Sequence, residues 1–320
     1  MSAASFDPSK LVAASAPGKL MISGEYAVLD GAVAVVAAVS ARVTARFVER
    51  AERPLPAEAA ATRKLAEAAL GAIDRELALD TEDLRKAGRK LGLGSSAAAS
   101  AAVAGALLAS HGHDLGAAAV RKQTLELALA GHKAIAPEGS GADVAAAALG
   151  GFVRFRLEQG KLAEAVRVSF PSGLETRVVW TGKEARTSEF VRAVRAFEGR
   201  DARAYGLLRD ALRAQASRFA SAIASGDLTE IVESARSYGA GMGELGSAAG
   251  VPIVTPELAQ IAQLASEHGG AAKPSGAGGG DVAIALFTSR ESASAFDAAC
   301  IAAGLDRLEL ELGAEGVRAE

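Results

Sequence analysis

The sequence predicts a mixed fold of helices and strands spread over about two domains. The chain has 320 residues, and domains commonly run to roughly 150 residues. Segments with apolar residues at helical spacing alternate with Val-rich, strand-like segments from one end to the other. No internal repeat, low-complexity linker or coiled-coil heptad breaks that succession.

From Leu11 to about Glu49 the chain is rich in Val and Ala, and residues 19–23, 32–40 and 43–48 read as strands with turns at Gly18, Gly24 and Gly31. Residues 57–77 change period. Leu65, Ala69, Ile73 and Leu77 recur at helical spacing while Arg63, Glu67 and Asp74 lie elsewhere, which predicts one amphipathic helix. Further helices are expected at 96–110 and 115–130, and a short one after Asp143. Strands follow at 151–157, 166–170 and 175–180, with Pro171-Ser172-Gly173 as a turn. The second half reads as helices at 188–197, 202–225 and 228–245, the last with Asp227 as N-cap, and Pro256 suits the first turn of a helix over 256–267. Residues 282–287 predict a buried strand, 289–303 a helix and 307–312 an alternating strand.

Composition excludes several functions. Lys and Arg number 35 against 38 Asp and Glu, a net charge of −3, so the basic field that a nucleic-acid partner requires is missing. Cys300 stands alone, which rules out an internal disulfide or a cysteine metal cluster and fits a reducing compartment. The longest uncharged stretch, 91–113, is mostly Gly, Ala and Ser, and reads as a loop and a buried helix, so no membrane partner is expected. Residues 1–10 carry Asp7 and Lys10 and lack a basic start followed by a leucine-rich core, so a cytoplasmic location is expected. His111 and His113 are two residues apart with no third ligand nearby, a poor metal site, and Trp180 reads as core.

Two glycine clusters carry the chemistry. Gly92-Leu93-Gly94-Ser95-Ser96 runs straight into an alanine-rich helix, so successive backbone N–H groups and a helix N-terminus converge on a spot suited to phosphate. Extended to Ala97 it matches GxGxxA, a dinucleotide fingerprint. The preceding residues 84–90, Leu-Arg-Lys-Ala-Gly-Arg-Lys, are no apolar strand, and Asp114 sits in a His-Gly-His-Asp turn without a strand before it, which argues against that reading. The second cluster, Lys273-Pro-Ser-Gly-Ala-Gly-Gly-Gly280, is too long for an ordinary helix-to-strand turn and reads as a wall against a ligand. Close packing by small residues is the alternative for either loop. No P-loop and no protein-kinase motif set is present.

Ala16-Pro-Gly-Lys-Leu-Met-Ile-Ser-Gly-Glu-Tyr-Ala-Val-Leu29, Gly92-Leu-Gly-Ser-Ser-Ala97 and Lys273-Pro-Ser-Gly-Ala-Gly-Gly-Gly280 resemble, in order, the three signature motifs of the GHMP small-molecule kinases. The resemblance implies a two-domain α+β fold. Residues 1–170 would form an N-terminal mixed α/β domain with a left-handed crossover like that of ribosomal protein S5, and residues 171–320 a C-terminal ferredoxin-like domain. It further implies that Gly92, Leu93, Gly94, Ser95, Ser96 and Ala97 cradle the phosphates of ATP, that the Ser96 hydroxyl binds Mg²⁺, and that Lys19 and Asp143 are catalytic. Lys19, Glu25, Tyr26, Ser140, Gly141, Lys273, Ser275, Gly276, Ala277 and Gly278 would contact the acceptor. Partners would be small molecules only, for a monomer or homodimer.

Within that family Tyr26, the Gly139-Ser-Gly-Ala-Asp143 segment and Asp281 are most like the phosphomevalonate kinases, which implies transfer of the ATP γ-phosphoryl group to 5-phosphomevalonate. Mevalonate kinases more often carry histidine at the position of Tyr26, and many place a glutamate metal ligand where His132 stands, which leaves waters or Glu138 as the second ligand. A hydroxyl acceptor would need Asp143 as a base, whereas a phosphate acceptor is already largely anionic and would need Asp143 only to orient Lys19. A phosphate acceptor also calls for cations, and Lys19, Arg89, Lys90, Lys133, Arg154 and Lys273 are in or beside the motifs. Arg85, Lys86, Arg89 and Lys90 read either as a solvated helix face or as a phosphate contact. Mevalonate kinase activity and a non-catalytic ligand sensor of the same fold are the rival expectations.

Overall fold

The computed structural model describes residues 11–185 and 187–320; the expectation for residues 1–10 lies outside them. Strand β1 (Ala14–Ser23) leads through a 3-10 turn at Ala27–Asp30 into the long strand β2 (Ala34–Val48). Helix α1 (Ala57–Leu70) and strand β3 (Glu76–Asp80) precede a hairpin of β4 (Arg85–Lys86) and β5 (Arg89–Lys90). Helices α2 (Ser95–Ser110), α3 (Ala118–Ile135) and α4 (Ala142–Leu149) come next, then β6 (Phe152–Glu158) and β7 (Lys161–Val168). The second half runs β8 (Glu175–Trp180), α5 (Thr187–Arg200), α6 (Ala202–Ser225), α7 (Leu228–Ala249), α8 (Pro256–Glu267), β9 (Ala271–Pro274), β10 (Val282–Phe287), α9 (Arg290–Ala302), β11 (Asp306–Leu308) and β12 (Arg318–Ala319).

The strands form an antiparallel sheet of order β12-β1-β2-β6-β7, with β3 also paired to β2, and a second antiparallel sheet of order β11-β8-β10-β9. Numbered along the chain, the second sheet has order 4-1-3-2 with helices after its first and third strands, the ferredoxin-like arrangement. The two sheets and their helices make the α+β fold that the motifs imply. The first sheet draws on residues 14–168 and then recruits the last strand, so the chain returns to where it began.

Burial explains why these segments take these forms. The first six residues of β2, all Ala or Val, are buried, and alternation begins only from Ser40 onward. Helix α2 is buried on nearly every side, against β1, β2, α1, α3 and α4, and its Ala, Ser and Gly content is what allows that crowding. At Gly105 a Cβ would lie 2.4 Å from Val317, so only glycine admits the returning C-terminal segment. In the second half the side chains of Asp201, Asp227, Thr255 and Ser289 cap α6, α7, α8 and α9 by accepting from backbone N–H groups, Asp227 as expected.

Several boundaries differ from expectation. The helix expected over 57–77 ends at Leu70, where Gly71 adopts φ +112°, and Leu77 pairs with Phe47 in the sheet instead. The two strands expected at 32–40 and 43–48 are one strand, and the pairing of β1 absorbs the irregularity through register shifts between Pro17 and Lys19 and between Met21 and Ser23. Residues 85–90 are a hairpin, not a helix face. Ala87 and Gly88 both take positive φ, as a tight two-residue turn requires, and backbone pairing fixes the rest. The strand expected over 307–312 is continuous only over Asp306–Leu308, and Leu312 makes an isolated bridge to Val39 in the other sheet.

Candidate active site

The three motifs meet. Gly92 and Gly94 carry φ of +76° and +75°, and Gly94 is the N-cap of α2 without a side-chain cap. The first-turn N–H groups of α2 therefore face outward with the positive end of the helix dipole behind them, an arrangement suited to an anion. Absence of a Cβ at Gly94 makes room for Lys19: a methyl there would lie 2.9 Å from its Cγ. The Lys19 backbone N–H donates to the Leu93 carbonyl at 2.8 Å and its Nζ to the Gly92 carbonyl at 3.4 Å, so motif one is stitched along motif two. Leu93 itself is core. At Gly92 a Cβ would fall 2.2 Å from Cγ of Asp281, whose carboxylate accepts from the Ala185 N–H and whose pKa burial pushes up.

Motif three is tied to motif one. Lys273 and Glu25 form a buried ion pair, Lys273 also donates to the Pro274 carbonyl, and burial lowers the lysine's pKa while the carboxylate opposes that shift. The Gly276 N–H reaches Glu25 at 3.4 Å, the Met21 N–H donates to the Ser275 hydroxyl at 2.8 Å, and the Tyr26 hydroxyl donates to the Ala277 carbonyl at 2.5 Å. Burial pushes the Tyr26 pKa upward. Gly278 packs on Ile253, whose carbonyl oxygen would lie 2.2 Å from a Cβ there.

Between motif one, motif three and residues 138–143 lies an open cleft of about 160 Å³. Lys19, Glu25, Tyr26, Ser140, Asp143, Gly276 and Ala277 line it, joined by Met21, Val28, Leu29, His132, Glu138, Gly139, Ala142, Thr187 and Val191. Asp143 is in the first turn of α4, where its carboxylate accepts from the Val144 N–H, and the Ser140 hydroxyl accepts from the Ala142 N–H. Gly141, at φ +84°, packs on Leu129 and lets this turn approach α3. Lys273, Ser275 and Gly278, expected to touch the acceptor, are instead spent on joining the motifs. Ser96 is at the start of α2 with His132 Nε2 3.4 Å from its hydroxyl.

Of the six cations considered for an acceptor phosphate, only Lys19 lines the cleft. Arg154 pairs with Glu164, Arg89 donates to the Gly182 carbonyl, the Lys90 N–H donates to Glu184, and Lys133 donates to the Gly160 carbonyl. Lys86 pairs with Asp306, so the basic hairpin holds the second half of the chain. Sequence reasoning missed Thr187 and Val191, which the start of α5 brings to the cleft and which carry no local signal.

Among the described residues no cluster of three His, Cys, Asp or Glu could hold a metal unaided, and no helix is long and apolar enough to cross a membrane. A Mg²⁺ ion that arrives with nucleotide needs little more than one hydroxyl and one carboxylate, since phosphates and water complete its shell. The Ser96 hydroxyl, in the first turn of α2, is a donor of that type.

Comparison with known proteins agrees. The model of the family described as GHMP kinases C terminal matches residues 219–304. A phosphomevalonate kinase of Streptomyces sp. strain CL190 is 27% identical over 340 residues, covering 87% of this chain and 90% of that protein. A mevalonate kinase of Aeropyrum pernix is 31% identical over 207 residues, covering 57% of this chain and 60% of that one. The structure of Streptococcus pneumoniae phosphomevalonate kinase in complex with phosphomevalonate and AMPPNP shares the fold, with a TM-score of 0.79 at 22% identity over 94% of this chain and 99% of its own. Residues 219–304 thus match the GHMP kinases C terminal family, and over most of its length the chain is similar to a phosphomevalonate kinase in sequence and in fold.

Proposed function

We propose that the chain transfers the γ-phosphoryl group of ATP to the phosphate of 5-phosphomevalonate, giving 5-diphosphomevalonate and ADP. The observation that carries this reading is the packing of a glycine-opened helix N-terminus without a side-chain cap against Lys19, which lines one cleft with Asp143. The relative that covers most of the chain supports the choice of acceptor.

In this mechanism the α2 N-terminus and the Ser95 and Ser96 hydroxyls hold the ATP phosphates. An oxygen of the acceptor phosphate attacks the γ-phosphorus while the bond to the β–γ bridging oxygen breaks and ADP leaves. Lys19 neutralises charge on the group in transit, and Asp143 orients Lys19. The Ser96 hydroxyl would hold a Mg²⁺ ion together with the phosphates, and the ion would supply further charge neutralisation.

One observation favours mevalonate as acceptor instead: Lys19 is the single cation of the six candidates that faces the cleft. ADP release measured with Mg-ATP and mevalonate, 5-phosphomevalonate, 5-diphosphomevalonate, homoserine or galactose separates the readings. Turnover with 5-phosphomevalonate alone is expected, and Asp143→Asn should then cost less than about 100-fold in kcat. Turnover with mevalonate alone and a loss near 10⁴-fold would make Asp143 a general base and overturn the assignment. ATP binding without turnover of any acceptor would indicate a ligand sensor.

A further inference from the structure

We propose that His132 is a positioning residue that aims the Ser96 hydroxyl at the bound nucleotide; the inference rests on the kinase reading of the same site. His132 is 6% exposed, in the last turn of α3, and its ring lines the cleft. Its Nε2 lies 3.4 Å from Ser96 Oγ, while its Nδ1 is buried with no partner. A buried N–H without an acceptor costs more than an unfilled lone pair, so the proton belongs on Nε2 and the imidazole donates to Ser96. That leaves the Ser96 hydroxyl hydrogen as a free donor and one oxygen lone pair open. A phosphate oxygen can take the first and a divalent cation the second.

Both backbones are held firmly enough for this to be a built contact. At Gly131 a Cβ would fall 2.5 Å from the Thr62 backbone, which seats α3 directly on α1 one residue before His132. Helix α2 packs on both α1 and α3, so Ser96 and His132 face each other across a rigid three-helix layer. The distance is at the long end of hydrogen bonding, as expected of a site that tightens when its ligand arrives.

The test compares two amides that differ in reach. In His132→Gln the amide nitrogen falls near the position of Nε2, and in His132→Asn near that of Nδ1, too far from Ser96. Affinity for AMPPNP, measured by calorimetry with and without Mg²⁺, should stay within about 3-fold of wild type for the glutamine variant. It should fall about 10-fold for the asparagine variant. In a Ser96→Ala background the asparagine change should have no further effect, because the group it positions is gone. Losses that multiply in the double variant, equal behaviour of Gln and Asn, or nucleotide affinity indifferent to both would overturn the inference while leaving the kinase reading intact. No AMPPNP binding by the wild-type protein would overturn both.

Discussion

Gly94 shows how one missing methyl group serves the site. Its φ of +75° suits glycine, and the space where a Cβ would sit is occupied by the Lys19 side chain. Gly94→Ala should therefore displace the lysine and lower kcat on the order of 100-fold, while destabilising the fold by about 1–2 kcal/mol. Gly88 has nearly the same φ, +76°, in the β4–β5 turn, but nothing lies within 4 Å of its virtual Cβ. Gly88→Ala should cost similar stability and spare turnover; steady-state kinetics beside denaturant titration distinguishes the two, and equal kinetic effects would refute the steric argument. Such glycines are the legible part of the site, because a positive φ or a close approach leaves its residue type in the sequence. Thr187 and Val191 leave no such trace: what they do follows from where α5 begins, which only packing decides. The cations misled for the same reason, since Lys273 opens the third motif in sequence yet pairs with Glu25 inside the protein.

Among the elements, α2, like α1, α3 and α4, lacks the side-chain cap that α6, α7, α8 and α9 carry, and its Gly94 N-cap packs against Lys19. A helix that ends in unpaired N–H groups is open to a ligand at that end. Hydrogen exchange should show the amides of Ser95, Ser96 and Ala97 exchanging quickly in the free protein and gaining protection on addition of AMPPNP. The capped amides of Ala204, Glu230, Leu258 and Ser292 should not change. Protection spread evenly over all five helix starts would mean global stabilisation and not binding at α2. The caps also explain which elements could be read from sequence. Asp227 and Pro256 announce their helices, whereas the spacing of Leu65, Ala69, Ile73 and Leu77 fits a helix or a helix followed by a strand, and Gly71 decides between them. The hairpin at 85–90 was obscured by its charges, which suggest a solvated helix until the turn at Ala87-Gly88 is taken into account.

At the scale of the whole molecule, contacts far apart in sequence join the two halves of the chain. The Lys86–Asp306 pair and the bonds from Arg89 and Lys90 to residues 182 and 184 link them at the surface. Lys273–Glu25 links them inside, with side chains 0% and 2% exposed and Lys273 Nζ 5.7 Å from the centroid of the Tyr238 ring. Tyr238 in turn donates to the Glu25 carbonyl at 2.6 Å, so a helix of the second half, a strand of its sheet and motif one share one buried junction. A charge pair in such a place is costly to break from one side, because the remaining ion has neither water nor partner. Lys273→Met should destabilise the protein by about 3–5 kcal/mol. Adding Glu25→Gln should recover part of that loss, because it removes the stranded carboxylate and leaves a neutral amide within reach of the Gly276 N–H. Chemical denaturation followed by far-UV circular dichroism measures both variants. A double variant less stable than Lys273→Met would show that Glu25 contributes through contacts other than the ion pair. Two separated transitions in the single variant, where the wild type shows one, would identify this junction as what makes the two halves unfold together.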